Sequence, residues 1–415
     1  MEEKPPPKDQ SLDEDIDLNE DDIVEVIEIT DDDGLEEGVE DMGLNQNSEG
    51  YLDDGEEEDE IEMKDDFEIE DESKITFQKH KGSVFCIALN PADPKMAGSG
   101  AEDDKAYLWN TDNCDVIKEI SGHKDSVTFV EFSNNGKYLA TADMSGCVQV
   151  WTVADGSLKW GFEFSDIEWM SWHPVAIVLF IGTVDGDIYM TVPSGDCKIL
   201  SGGGQKTTAG CVLPNGKQLF AGYENGTLIL WDLKTTTQVF SLKDEFGHKD
   251  NVNCVSSSAN SSLLVSGSYD STIKVISASN GKVLCSFEAG FPQSGEESEN
   301  SSVECVAFSS DTQYVLSGSL SGVLGIWDIT AQRLRHSCKH PLGAGITRLS
   351  IDPTVSFHIF TGALDGVLRL WDIRSGECLR QWCGHAEAVL DLKISKDGRT
   401  LLSSSDDGTA KIFEV

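Results

Sequence analysis

Histidines and aspartates are the residues of this sequence whose types and spacing suggest chemistry. They recur along the chain, as His80, Asp103, His123, His248, Asp270, His340, Asp365, His385 and Asp407. A histidine beside a carboxylate can act as a general base, and clustered histidines and cysteines can bind a metal. The sequence contains no H-x-H, HExxH or CxxC motif, no phosphate-binding loop and no G-x-S-x-G nucleophile turn. It therefore predicts no enzyme, no catalytic residue, no metal site and no cofactor, and it assigns these histidines a structural role.

Negative charge is concentrated in the first part of the chain. The formal net charge of the 415 residues is −43, and residues 1–73 hold 34 Asp and Glu against three Lys. This composition has too little apolar surface to offset the entropy of folding, so residues 1–73 are predicted to be a disordered acidic tail. Its apolar island at residues 23–29 is either an incidental cluster or a strand or docking motif. An acidic protein repels nucleic acid and anionic membranes, and it attracts a basic protein partner.

The sequence shows no secretory or membrane-spanning segment. The first residues lack an apolar signal-peptide region, and no stretch approaches the roughly 20 apolar residues that span a bilayer. The eleven cysteines are scattered, and several of them fall within alternating apolar runs, as a buried thiol does. We therefore expect a reducing compartment, the cytoplasm, with the nucleus as an alternative. We also expect a monomer that does not insert into membranes.

A repeat of about 40 residues positions the histidines and aspartates. Each copy, seen most clearly at residues 122–152, has three apolar runs separated by polar turns. The third run ends at Trp109, Trp151, Thr191, Trp231, Ile276, Trp327, Trp371 and Phe413, which makes eight copies. The intervals are 42, 40, 40, 45, 51, 44 and 42 residues, and the longest contains the polar stretch 288–302. We interpret that acidic stretch as an inserted surface loop.

A residue suited to a tight turn precedes each of these run ends by six positions. These residues are Asp103, Ser145, Asp185, Asn225, Asp270, Ser321, Asp365 and Asp407. Short polar side chains dominate turns because they form hydrogen bonds with the turn backbone. The second and third runs of each copy are therefore predicted to be strands joined by a tight turn.

The copies resemble the repeats of the WD-repeat family of β-propellers. Literal Trp-Asp pairs occur at Trp231-Asp232, Trp327-Asp328 and Trp371-Asp372, and the resemblance covers residues 74–415. It implies an all-β fold, an eight-bladed WD-repeat propeller preceded by the acidic tail. The family also has a buried network of His, Ser or Thr, Asp and Trp within a blade. The matching residues are His80, Ser99, Asp103 and Trp109 in blade 1, and His340, Thr361, Asp365 and Trp371 in blade 7.

The two ends of the folded region predict how the ring closes. Blades 3 and 5 carry Thr191 and Ile276 in place of the Trp, so they match the family in strand pattern only. The eighth copy has only three runs, and residues 75–77 form a spare apolar strand before the first copy. Pairing this strand with the last blade would remove two exposed sheet edges and close the ring.

The mouth of the central channel is the surface that the resemblance offers for binding. In WD-repeat propellers the residue before each turn position faces this mouth, and here the series is Glu102, Met144, Val184, Glu224, Tyr269, Leu320, Leu364 and Asp406. Carboxylates beside apolar pockets suit a peptide that carries both basic and apolar side chains. The predicted partner-binding residues are Glu102, Asp104, Asp125, Glu168, Trp169, Glu224, Asp250, Tyr269, Glu387 and Asp406. The alternative is that these acids are ordinary solvated loop residues.

Trp169 and Trp172 lie in the same predicted strand, three residues apart. Alternation puts the two side chains on opposite faces of that strand, so at most one of them belongs to the core by this argument. The other either packs between blades or forms an aromatic anchor for a partner.

Several stretches match one WD-repeat subfamily more closely than the fold requires, among them AEDDKAYLW at 101–109, GHKDSVTFVEFS at 122–133 and DIEWMSWHP at 166–174. Fungal members of this subfamily are dedicated chaperones of a large-subunit ribosomal protein. The resemblance implies capture of a basic protein or peptide, the N-terminal segment of such a ribosomal protein, during 60S ribosome biogenesis. The alternative is a signalling or cytoskeletal scaffold in cell migration, and a ubiquitin-ligase substrate receptor is a third possibility.

Overall fold

A computed structural model describes residues 70–289 and 301–415. The described residues form 32 β-strands in eight four-stranded antiparallel sheets, each of which is one blade of a propeller. The predicted all-β, eight-bladed fold is thereby confirmed. The island at residues 23–29 and most of the predicted tail lie outside the described residues, as do residues 290–300 of the predicted surface loop. No helix of the described residues is long and apolar enough to cross a membrane.

The first four blades follow one another along the chain. Blade 1 comprises β2 (Val84–Leu89), β3 (Met96–Ala101), β4 (Ala106–Asn110) and β5 (Val116–Ile120). Blade 2 comprises β6 (Val127–Phe132), β7 (Tyr138–Asp143), β8 (Cys147–Thr152) and β9 (Leu158–Glu163). Blade 3 comprises β10 (Ile167–Trp172), β11 (Leu179–Thr183), β12 (Asp187–Thr191) and β13 (Cys197–Ser201). Blade 4 comprises β14 (Thr207–Val212), β15 (Gln218–Tyr223), β16 (Leu228–Asp232) and β17 (Thr237–Leu242).

The last four blades repeat this order, except that β1 completes blade 8. Blade 5 comprises β18 (Val252–Ser257), β19 (Leu263–Ser268), β20 (Thr272–Ser277) and β21 (Val283–Glu288). Blade 6 comprises β22 (Val303–Phe308), β23 (Tyr314–Ser319), β24 (Val323–Asp328) and β25 (Arg333–Lys339), and a 3₁₀ turn, Pro341–Gly343, follows it. Blade 7 comprises β26 (Ile346–Ile351), β27 (His358–Ala363), β28 (Leu368–Asp372) and β29 (Glu377–Trp382). Blade 8 comprises β30 (Val389–Ile394), β31 (Thr400–Ser405), β32 (Ala410–Glu414) and β1 (Ile75–Phe77).

Glycines in the second strand of the blades let neighbouring blades pack closely. A Cβ atom on Gly100 would lie 2.6 Å from Val127 Cγ1, and one on Gly222 would lie 2.4 Å from Val252 Cγ1. In both cases the valine begins the first strand of the next blade. Real Cβ atoms do not approach other atoms this closely, so only glycine permits the contact. This explains why the second run of the repeat is rich in small residues.

The hydrophobic core is divided among the gaps between blades. The cluster around Trp109 joins blades 8 and 1, and the cluster around Trp371 joins blades 6 and 7. Thr191 and Ile276, which replace the Trp of blades 3 and 5, are also fully buried. Both faces of a blade therefore face apolar neighbours, because each sheet is packed between two others.

Residues 75–77 and the last blade pair as a two-strand ladder. Ile75 pairs with Ile412 and Phe77 with Ala410, both in antiparallel register. The Phe77 side chain is 1% exposed and stacks on Trp109 of blade 1, with ring centroids 4.5 Å apart. The closing strand therefore completes the sheet of blade 8 and also fills the gap between blades 8 and 1.

Candidate functional site

The turns between the second and third strands of all eight blades lie on one face of the ring, the mouth face. The residue before each turn donates its backbone N–H to the carbonyl oxygen of a residue directly before the first strand of the same blade. The pairs are Glu102–Ser83, Met144–Ser126, Val184–Asp166, Glu224–Lys206, Tyr269–Asn251, Leu320–Ser302, Leu364–Gly345 and Asp406–Ala388, at 2.9–3.0 Å. The eight positions predicted from sequence are therefore structurally equivalent, because each makes the same backbone hydrogen bond.

Acidic side chains of the mouth face gather where blades 8 and 1 meet. The backbone N–H of Ser83 donates to Glu102 Oε2 at 3.2 Å, and the Ser83 hydroxyl donates to the carboxylate of Asp406. Hydrogen bonds from Ser83 thus bring together two carboxylates from different blades. Glu387 adjoins them, since its carbonyl oxygen accepts a hydrogen bond from Ser405 Oγ at 3.1 Å. We call Glu102, Asp104, Glu387 and Asp406, all of which are exposed, the acidic arc.

The remaining mouth positions are mostly apolar. Around the ring, acids at blades 8 and 1 are followed by Met144 and Val184, then by Glu224 and Tyr269, then by Leu320 and Leu364. Met144, Tyr269 and Leu364 are exposed at 51%, 53% and 45%, whereas Val184 and Leu320 are half-buried. Acidic or aromatic pairs therefore alternate with aliphatic pairs around the mouth.

Several lysines of this face are paired, whereas most of the predicted acids are not. Lys105 pairs with Glu119 at 2.5 Å and Lys124 with Glu163 at 2.8 Å. Glu168, a predicted partner-binding residue, is 2.8 Å from Lys206. Its neutralisation was not foreseen, because the two residues come from different blades. Among the described residues no ion pair is found for Glu102, Asp104, Asp125, Glu224, Asp250, Glu387 or Asp406.

The structure corrects the predictions for Trp169 and Trp172. Both side chains are only 6% exposed, so Trp169 is not an aromatic anchor on the surface. Its indole Nε1 donates to Thr207 Oγ1 of blade 4 at 2.5 Å, and Trp172 Nε1 donates to the carbonyl oxygen of Glu131 in blade 2. Alternation failed as a guide because an inner strand is packed against a neighbouring blade on each of its faces.

The predicted histidine network of blade 1 is present over three of its four members. His80 Nε2 lies 2.8 Å from Ser99 Oγ, and His80 Nδ1 lies 3.1 Å from Asp103 Oδ1. Trp109 Nε1 is buried and has no hydrogen-bond partner among the described residues. The predicted set is therefore corrected at Trp109, which contributes through packing.

Blades 5 and 8 contain the same arrangement, and it sets the ionisation of their aspartates. Burial by itself raises the pKa of Asp270, but hydrogen bonds from His248, Thr272 and the backbone of Lys249 lower it well below its usual range. The pKa of Asp407 is lowered in the same way by hydrogen bonds from His385 and Thr409. Each of these carboxylates thus accepts several hydrogen bonds inside its blade and caps the turn to which it belongs.

Blade 7 departs from its predicted network because an arginine enters it. Arg369 is 2% exposed, and its guanidinium group donates to His340 Nδ1 at 2.9 Å and to Asp365 Oδ2 at 2.6 Å. The direct contact expected between His340 and Asp365 is thus replaced by a bridge. Thr361 Oγ1 lies 3.2 Å from His340 Nε2 and accepts from Trp371 Nε1 at 3.0 Å, as the prediction required. Burial and the neighbouring Arg369 lower the pKa of His340 to about 4.

Blade 2 takes its acidic residue from a position that the sequence analysis missed. His123 Nδ1 lies 3.1 Å from Asp143 Oδ2, and Ser145, the predicted turn residue, donates to Asp143 Oδ1. Among the described residues, His123, Asp143 and Cys147 are also the one group whose ligand atoms lie close enough to suggest a metal site. The Asp143 oxygens already accept the backbone N–H groups of Lys124 and Cys147. Hydrogen bonding alone therefore accounts for this group.

A shallow pocket of about 270 Å³ lies on the face opposite the mouth. It is lined by the ends of first strands, including Leu89, Glu131, Trp172 and Lys393. Burial raises the pKa of Glu131 to about 7, and the backbone N–H of Trp172 donates to its Oε2 at 3.2 Å. No local sequence pattern marks Glu131, because its surroundings come from three other blades.

Comparisons with known proteins agree with this architecture. The WD domain, G-beta repeat family matches residues 71–110, 114–152, 237–277, 293–328, 332–372 and 376–414. Blade 3 and the first three strands of blade 4 fall between these matches, although both blades have the same four-stranded sheet as the others. The divergence of these two blades is therefore in sequence and not in fold.

Full-length relatives cover nearly the whole chain. Over 413 residues the chain is 39% identical to the angio-associated migratory cell protein of Homo sapiens, with 95% of this chain and 94% of that protein covered. It is 25% identical over 409 residues to the ribosome assembly protein SQT1 of Saccharomyces cerevisiae, with 90% and 92% covered. Among solved structures, Chaetomium thermophilum Sqt1 bound to the N-terminus of ribosomal protein L10 superposes with a TM-score of 0.75. That match has 22% identity and covers 83% of this chain and 100% of the other, so it supports the fold.

Proposed function

The chain belongs to the WD40 repeat family, and on this premise we propose that it is a non-catalytic binding protein for a basic ribosomal protein. Its client is the positively charged N-terminal segment of a newly made large-subunit ribosomal protein. The mouth face holds this segment until the client joins the large ribosomal subunit. The fungal relative named a ribosome assembly protein supports this assignment, as does the structure of Sqt1 with the L10 N-terminus.

The observation that carries the proposal is the set of unpaired carboxylates on the mouth face. Seven predicted acids form no ion pair with a described residue, whereas nearby Lys105, Lys124 and Lys206 are already neutralised. Carboxylates that lack a cationic partner within the protein are available for the Arg and Lys side chains of a ligand. A ribosomal protein that is not yet bound to RNA has many such side chains, and the mouth would take the place of the phosphates.

The charge of the whole chain favours the same partner. Residues 1–73 carry 34 acidic residues and three lysines, which gives this segment a net charge of −31. A strong negative field speeds the encounter with a cationic protein, and the gain falls as salt screens the charges. Affinity and association rate should therefore both depend steeply on ionic strength.

A labelled peptide with the N-terminal sequence of ribosomal protein L10 tests the proposal by fluorescence anisotropy. We expect binding that weakens at least tenfold between about 50 and 500 mM salt, because charge pairs on an exposed surface are screened. Charge reversal at Glu102, Asp104 and Glu224 together should weaken binding at low salt by about a hundredfold or more. Glu377→Lys, at an exposed acid on the outer strand of blade 7, is the control and should bind normally. An affinity that does not vary with salt would refute the electrostatic basis of the proposal.

A scaffold role in cell migration is the second candidate function, because relatives of this chain are named for migratory cells. A pull-down from lysate depleted of ribosomes separates the two. Recovery of one ribosomal protein in stoichiometric amount, lost on charge reversal of Glu102, Asp104 and Glu224, supports the chaperone. Recovery of cytoskeletal or signalling proteins that survives the charge reversal supports the scaffold.

A further inference from the structure

The mouth face carries an apolar surface beside the acidic arc. Leu320 and Leu364 occupy the mouth positions of blades 6 and 7, and Leu342 lies in the loop that joins these blades. Leu342 is fully exposed, at 107% of its reference area, and Leu364 is 45% exposed. A Cβ atom on Gly345 would lie 3.0 Å from Leu320 Cδ1 and 3.0 Å from Leu364 Cδ1, so this glycine sits between them. We call Leu320 and Leu364, together with Leu342 three residues before Gly345 in the same loop, the leucine patch.

The backbone holds Leu342 in a conformation that leucine rarely adopts. Its φ and ψ angles are 54° and 16°, in the left-handed region that favours glycine and asparagine. The neighbouring Gly343 also has a positive φ, of 69°, and its carbonyl carbon would be 2.6 Å from a Cβ atom on Gly322. The loop is thus pressed against the turn of blade 6. A large apolar side chain in a strained conformation, exposed to water, stabilises neither the loop nor the core.

From these features we infer that the leucine patch receives a bulky apolar side chain of the same cationic peptide that binds the acidic arc. This inference rests on the proposed function and adds a requirement to it. The patch on blades 6 and 7 adjoins the arc on blade 8, because a Cβ atom on Gly366 of blade 7 would lie 2.9 Å from the carbonyl oxygen of Glu387. A peptide that crosses from one to the other meets leucines and then unpaired carboxylates.

The charges around the patch favour an apolar group there and not another basic one. The nearest mouth acid of blade 7, Asp365, is bound to Arg369 at 2.6 Å, so its charge is balanced within the blade. The carboxylates of Glu387 and Asp406 in blade 8 have no such partner among the described residues. The recognised segment therefore has a large apolar residue next to its basic residues.

Replacing Leu342 with asparagine separates a binding role from a structural one. Asparagine adopts the left-handed conformation readily, so the melting temperature of Leu342→Asn should not fall. Affinity for the labelled L10 N-terminal peptide should fall about tenfold, because burial of the leucine on binding is lost. The factor should be the same at low and at high salt, since the lost contact is apolar. Leu379→Asn, at a leucine 48% exposed on the outer strand of blade 7, is the matched control and should bind normally.

Two synthetic nonapeptides distinguish failure of this inference from failure of the proposed function. Both contain four arginines, and they differ at one position, which is tryptophan in one and serine in the other. Tighter binding of the tryptophan peptide, reduced to the level of the serine peptide by Leu342→Asn, supports the inference. Equal binding of the two peptides, still dependent on Glu102 and Asp406, overturns the inference and leaves the proposed function intact. Binding of neither peptide counts against both.

Self-association is the other use of an exposed leucine patch, and sedimentation velocity tests it. A dimer at micromolar concentration that Leu342→Asn converts to a monomer would overturn the inference, because a second copy would then be the occupant. A monomer for both proteins is the expected result.

Discussion

Blades 7 and 8 lie side by side in the ring, and each has a buried cation two residues before the end of its third apolar run. In blade 7, the Arg369 guanidinium group lies between His340 and Asp365 and donates hydrogen bonds to both. In blade 8, Lys411 turns toward the closing strand, where its Nζ donates to Asp71 Oδ2 at 2.5 Å and to Thr76 Oγ1 at 3.1 Å. His385 of blade 8 therefore reaches Asp407 directly, at 2.9 Å.

The difference shows that the propeller fold does not depend on one fixed network. A buried cation needs a carboxylate within reach, and the two blades obtain it from different parts of the chain. The chain segment that includes β1 brings Asp71 to blade 8, whereas blade 7 uses the aspartate of its own turn. The mouth residues Leu364 and Asp406 differ independently of these networks, so the mouth face can vary while the blades keep their shape.

Removal of the closing strand should give the largest loss of stability, because blade 8 depends on a strand from the other end of the folded region. Phe77→Ala should lower the free energy of unfolding by about 3–5 kcal/mol, since Phe77 is 1% exposed and fills the gap to blade 1. Deletion of residues 74–78 should cost more, because it also exposes the edge of β32. Denaturant unfolding measures both effects.

Two control variants test whether the loss of stability is specific to the closing strand. Leu379→Ala, on the exposed side of the fourth strand of blade 7, should change the free energy of unfolding by less than about 0.5 kcal/mol. Deletion of residues 1–70 should leave the melting temperature unchanged. A protein lacking residues 74–78 that melts like the full chain would contradict the closing role of β1.

Acid should weaken blade 7 before it weakens blade 8. The pKa of His340, about 4 in the fold, lies below the unfolded value of about 6.5, so its contribution is present above pH 6.5 and is lost as the pH falls toward 4. The pKa of Asp407 is lowered, so its contribution is lost only below about pH 4. Between pH 7 and 5, protonation of His340 in the unfolded state should therefore lower stability by on the order of 2 kcal/mol.

Single substitutions assign this pH dependence to one blade. His340→Gln should unfold with a smaller difference in free energy between pH 7 and pH 5 than the unsubstituted protein. Asp407→Asn, although destabilised, should keep the full difference over this range. The prediction fails if both variants keep it or if Asp407→Asn alone loses it.

The ion pair between Asp71 and Lys411 should give the smallest effect of the three. Lys411 is buried but Asp71 is 45% exposed, so solvent weakens their attraction. A double-mutant cycle with Asp71→Asn and Lys411→Met should give a coupling free energy of about 1 kcal/mol. The same cycle on Asp365 and Arg369 should give a larger coupling, because Arg369 and its contacts are more deeply enclosed. Equal coupling free energies for the two pairs would show that the difference in burial does not change the strength of the ion pair.

Much of the fold followed from the sequence because its signals are local. Turn residues, apolar runs and the regular interval all lie within a copy, and each blade is built from one copy apart from its last strand. The eight positions predicted for the mouth are structurally equivalent, since they are defined by their distance from the turn and make the same backbone hydrogen bond. Contacts between copies have no such local signal, and the prediction for Trp169 was wrong for this reason. Within blade 7, the predicted contacts of Thr361 with His340 and Trp371 are present, but Arg369 replaces the direct contact between His340 and Asp365.

By itself, the sequence determined the number of blades, the strand order and which residues occupy equivalent turn positions, because the repeat encodes these features within about 40 residues. Only the tertiary structure decided which side chains meet across blades. Ser83 joins Glu102 to Asp406, Lys206 neutralises Glu168, and Trp169 is covered by blade 4. The physical reason is that a ring brings together residues 38 to 323 positions apart, and no local pattern records which of them will touch.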